Sequence, residues 1–102
     1  MSPDALFEEV AADLLARGAN VGAMFGKRAL LANGKAFACL KDDTLAFRLG
    51  ADTPAHTEAL ALPGAGLFDP SGKKRPFKDW VAVPSAQSAH WRRLARLAYE
   101  RS

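Results

Sequence analysis

Within residues 3–17 the apolar side chains Leu6, Phe7, Val10, Ala11, Leu14 and Leu15 recur at i, i+1, i+4, i+5, i+8 and i+9. That is the spacing of one helical face. Ser2 is placed to cap this helix, Pro3 suits its first position, and Asp4, Glu8 and Glu9 favour the positive end of its dipole. Arg17-Gly18 supplies the stop. From residue 21 the period changes. The block VGAMFGKRALLANGKAFACLKDDTLAFRL, residues 21–49, reads as three short strands. Met24-Phe25-Gly26 opens the first, with Met24 and Phe25 expected to fill the core and Gly26 to permit a bulge or close contact.

Asn33-Gly34 turns the chain back, because both residues tolerate the positive φ that a two-residue hairpin loop demands. Asp42-Asp43 makes the next turn. In the third strand Leu45, Phe47 and Leu49 alternate with Thr44, Ala46 and Arg48, as in a sheet with one buried face. In the second, Phe37 and Cys39 are expected opposite Ala36, Ala38 and Leu40, giving a central strand that is apolar on both sides.

Asp52-Thr53-Pro54 announces a short helix over 55–62, ended by Pro63-Gly64. A second hairpin follows. It runs from Gly66-Leu67-Phe68 through a basic, mobile tip to Trp80-Val81-Ala82-Val83. Ser85 or Ser88 then caps a last helix, with Trp91, Leu94, Ala95, Ala98 and Tyr99 on one face and Arg92, Arg93 and Arg96 on another. The order is α-β-β-β-α-β-β-α. Short turns pair neighbouring strands antiparallel, and the helices cover the apolar face of the sheet, so the expectation is one two-layer α+β domain over residues 1–102.

Composition adds limits. With 102 residues, 49% hydrophobic and 25% charged, the chain suits one globular domain that folds without staples. Cys39 is the only cysteine and lies in an apolar run, which favours a reducing compartment. Neither a secretory leader nor a membrane span is recognisable, so a cytoplasmic location is expected. The net charge of +3 and pI near 9.4 are mildly basic. Lys73, Lys74, Arg75 and Lys78 precede Arg92, Arg93 and Arg96, and together they are the candidate contact surface for nucleic acid or an acidic partner.

The ordered series Met24-Phe25-Gly26, Asn33-Gly34-Lys35 with Phe37, and Leu45-Ala46-Phe47-Arg48 resembles the N-terminal domain of the TfoX/Sxy family. Phe68, the strand end Val83-Pro84 and the helix bearing Trp91, Leu94 and Ala98 extend the resemblance along almost the whole chain. It implies a fold similar to secretion-chaperone-like and YjbR-like domains, and a regulatory or protein-interaction role rather than catalysis. Members that control competence carry a second domain of helix-hairpin-helix character, so a stand-alone N-terminal domain is the expectation here. Lys27 departs from the family, which often has a second glycine after the MFG triplet. The resemblance brings no catalytic residues.

Direct reading of the residues gives no reaction either. Cys39, His56 and His90 lack the paired spacing of zinc ligands, and no cofactor or metal is expected. Adjacent Asp42 and Asp43 read as an acidic turn, Ser85 and Ser88 as caps, and Gly64-Ala65-Gly66 as a turn without the length of a phosphate loop. The basic residues are the remaining surface feature. Solvated charge, nucleic acid and an acidic protein are all compatible with them, and four phosphate contacts would give a salt slope of about −3.6. A homodimer through the sheet face or edge is a further expectation.

Overall fold

The computed structural model describes residues 2–70, 74 and 76–101. Its elements run α1 (Pro3–Ala16), β1 (Asn20–Met24), β2 (Lys27–Ala32), β3 (Lys35–Lys41), β4 (Thr44–Arg48), α2 (Pro54–Leu60), β5 (Gly66–Phe68) and β6 (Phe77–Pro84). A 3₁₀ helix (Ser85–His90) leads into α3 (Trp91–Glu100). The six strands form one antiparallel sheet in the order β1-β2-β3-β4-β6-β5. The α+β architecture is therefore the one the periodicity implies.

The caps explain where two helices begin. Ser2 Oγ accepts from the Ala5 amide at 3.1 Å, and Thr53 Oγ1 accepts from the His56 amide at 3.2 Å, satisfying first-turn donors that have no intrahelical partner. The last helix differs from expectation. Neither Ser85 nor Ser88 caps it, because residues 85–90 form the 3₁₀ turn and α3 starts only at Trp91, without a side-chain cap.

The expected first strand is in fact a hairpin. Phe25 (φ 55°) and Gly26 (φ 73°) are both in the left-handed region, and Met24 pairs with Lys27 across them, so MFG forms a two-residue turn. Phe25 is consequently 62% exposed rather than part of the core. The Asn33-Gly34 turn is as expected, with φ of 52° and 80°.

A second correction concerns β3. Its register against β2 steps from Leu30↔Ala38 to Leu31↔Ala36, leaving Phe37 as the extra residue of a bulge. The bulge turns Phe37 into the same cluster as Ala38 and Leu40, while Ala36 and Cys39 belong to the opposite one. Phe37 thus packs beneath the helices, 5.4 Å from the Tyr99 ring, and does not share a face with Cys39.

The sheet separates two apolar clusters. On the helix side Phe7, Val10 and Leu14 of α1 and Trp91, Leu94 and Ala98 of α3 meet Leu30, Leu45, Phe47, Val81 and Val83. Trp91 is fully buried, and its Nε1 donates to the Val83 carbonyl at 3.1 Å. On the helix-free side a smaller cluster joins Cys39, Ala46, Phe68 and Trp80, flanked by Met24, Ala36, Phe77 and Ala82. Alternation along β4 and β6 places these residues opposite the main core. Among the described residues no helix is long and apolar enough to cross a membrane.

Candidate functional site: an aromatic and cationic groove on the helix-free face

The second cluster forms the base of an open groove of about 640 Å³. Its apolar lining is Met24, Ala36, Phe77 and Trp80, drawn from β1, β3 and β6. Lys35, Arg48, Lys78 and Asp79 supply the polar lining. Four rings run in sequence along this face. Phe25 and Phe77 have centroids 5.9 Å apart, Phe77 and Phe68 6.1 Å, and Phe68 and Trp80 5.7 Å. These tilted and edge-on distances lie in the favourable range for aromatic pairs. Phe68 and Trp80 are almost completely buried, whereas Phe77 is half-buried and Phe25 projects from its turn.

The β6 wall is held from the helix side. His56, buried in α2, donates from Nε2 to the Lys78 carbonyl at 2.7 Å. The Asp79 carbonyl accepts from the Leu49 and Gly50 amides at 2.9 and 3.0 Å. Its carboxylate Oδ1 accepts from the Ala51 amide at 2.9 Å. Lys78 and Asp79 are therefore fixed in the backbone, which holds this wall of the groove in place.

Charge divides across the sheet. On the helix side three arginines have carboxylate partners beyond their own turn: Arg96 makes two hydrogen bonds to Asp13 at 2.8 and 2.9 Å, Arg93 meets Glu58 at 2.8 Å, and Arg28 pairs with Glu8. The Arg96 hydrogen bond holds the Asp13 carboxyl down at about 2, and Asp13 in turn raises Arg96. Arg92 is exposed, with no ion pair among the described residues. On the groove side Lys35, Arg48 and Lys78 make no ion pair among the described residues. Three cations that make no ion pair among the described residues thus line this one groove.

The seven basic residues expected to act together are consequently separated. Lys78 lines the groove, Arg92, Arg93 and Arg96 lie on α3 in the helix layer, and Lys74 is exposed in the β5–β6 connection. Lys73 and Arg75, with the mobility expected of that tip, lie outside the described residues. Of the motif residues, Met24, Lys35 and Arg48 line the groove, Phe25 flanks it, and Gly26, Asn33 and Gly34 make turns. Phe37, Leu45 and Phe47 belong to the helix-side core.

Sequence reading missed Phe77 and Asp79 as site residues, and placed Trp80 only at a strand start. Phe77 directly after Pro76, three residues before Trp80, was the available signal. Among the described residues no three His, Cys, Asp or Glu side chains gather as a metal site. Cys39 lies below the groove, where burial pushes its thiol upward and nearby Lys27 partly opposes that shift. His90 Nδ1 accepts from Arg93 at 3.2 Å. Asp42 and Asp43 occupy an exposed turn.

No family model, curated protein or solved structure matches the chain.

Proposed function

We propose that this chain is a non-enzymatic, regulatory protein-interaction module of the TfoX N-terminal type, and that it docks a partner segment in the groove on the helix-free face. The carrying observation is the apolar surface formed by Met24, Ala36, Phe77 and Trp80 outside the main core, flanked by the exposed Phe25 ring. Interaction surfaces favour aromatic anchors of this kind. The motif that carries the TfoX resemblance supplies several of the groove residues, which ties the resemblance to the surface. A reducing, cytoplasmic setting suits the free buried thiol of Cys39.

A photo-crosslinking amino acid at position 36 tests the reading against one at position 92. The expected result, in cells that make the protein, is a defined protein adduct from position 36 and none from position 92. Adducts at position 92 alone, or nucleic acid as the product at position 36, would contradict it.

A second reading draws on the cations Lys35, Arg48 and Lys78, which also suit nucleic-acid phosphates. Loss of oligonucleotide binding on neutralising them would support it, and no binding at low salt would remove it. Self-association has its own support in β1. This edge strand contains no charged residue or proline and exposes Val21 at 44%. A monomer mass at every concentration in sedimentation would exclude a homodimer.

A further inference from the structure

We infer that the occupant of the groove is an acidic protein segment carrying one large apolar side chain, an inference that rests on the docking role proposed above. The apolar part of that segment seats against the part-buried Met24, Ala36 and Phe77, above the buried Trp80, and its carboxylates meet Lys35, Arg48 and Lys78. Charge complementarity carries the assignment. Three cations without ion-pair partners among the described residues line one groove, while its carboxylate, Asp79, already accepts from the Ala51 amide.

The same geometry disfavours a nucleic-acid strand. Binding by base stacking needs accessible ring faces in series. Here Trp80 is only 7% exposed and packs at 5.7 Å against Phe68, while Phe77 is engaged with both Phe25 and Phe68. A polyanion also gains from a broad positive field, yet the net charge is only +3 and Arg28, Arg93 and Arg96 are paired with carboxylates. A short acidic segment needs only the local cations. Its apolar anchor uses the surface that phosphate would leave empty.

Selection of a random peptide display library on the immobilised chain, with an Arg48→Ala chain as counter-selection, tests this. The expected peptides have net negative charge and share one aromatic or large aliphatic position. An enriched peptide, labelled for fluorescence anisotropy, should bind about tenfold more weakly when that position is alanine, from the apolar area lost. Arg48→Ala and Lys35→Ala should each weaken it several-fold, and Arg92→Ala by less than about twofold. Circular dichroism of the variants confirms that each remains folded. Neutral or basic peptides lost with Arg48→Ala would overturn the acidic assignment while leaving the docking role intact. Displacement of the peptide by an oligothymidylate, or enrichment of no peptide, would overturn both.

Discussion

The Phe25 ring stands 5.9 Å from that of Phe77 while the Phe25 backbone occupies a left-handed conformation at φ 55°. A bulky side chain is unusual in this region, and the conformation costs on the order of 1 kcal/mol. Glycine or asparagine would make the same turn more cheaply. The ring contact with Phe77 offsets part of that strain, and the rest of the Phe25 side chain is left at the surface beside the groove.

Two phenylalanines of the same motif should therefore respond in opposite ways. Phe25→Asn relieves the left-handed strain and loses one ring contact, two terms of about 1 kcal/mol that nearly cancel. Phe37→Ala empties a fully buried site and should cost about 3–5 kcal/mol. Urea unfolding of both variants measures this. A Phe25→Asn loss as large as that of Phe37→Ala would place Phe25 in the stabilising core after all.

The Asp13–Arg96 pair predicts a pH dependence with a definite sign. The folded carboxyl sits at about 2 against its ordinary 3.8, chiefly through the Arg96 hydrogen bond. The unfolded chain takes up the proton first as pH falls. The pair's stabilisation is thus fully present above about pH 4 and is lost towards pH 2. Denaturant midpoints of the wild type and Asp13→Asn should differ near neutral pH and converge through that window. A gap unchanged down to pH 2 would rule out the linkage.

His56 connects α2 to the groove wall. In His56→Leu the Lys78 carbonyl loses its 2.7 Å donor, at a cost of about 1–3 kcal/mol. Amide exchange should quicken around Lys78 and Asp79 more than in β2 or β3. Uniform exchange rates across the sheet would show that His56 does not anchor this wall.

Much of the fold was legible where a local rule decides the outcome. The α1 stripe, the Ser2 cap, the helix start at Asp52-Thr53-Pro54, the Asn33-Gly34 turn and the alternation in β4 all depend on neighbours in sequence. Two features escaped because tertiary contacts override local preference. Phe25 would not be chosen for a left-handed turn by propensity, and the bulge at Phe37 follows from the place available beside Tyr99. The groove was less legible still. It assembles residues from β1, β3, β4 and β6, and whether an arginine is neutralised depends on partners such as Asp13 and Arg96, 83 positions apart.

Amide and indole chemical shifts of the isotope-labelled chain, recorded while a display-selected peptide is added, test the central claim most directly. Docking in the groove predicts saturable changes at Met24, Ala36, Arg48 and the Trp80 indole, with α3 at Arg92 and Arg93 unmoved. Changes concentrated on Arg92 and Arg93, with the groove signals unmoved, would contradict it.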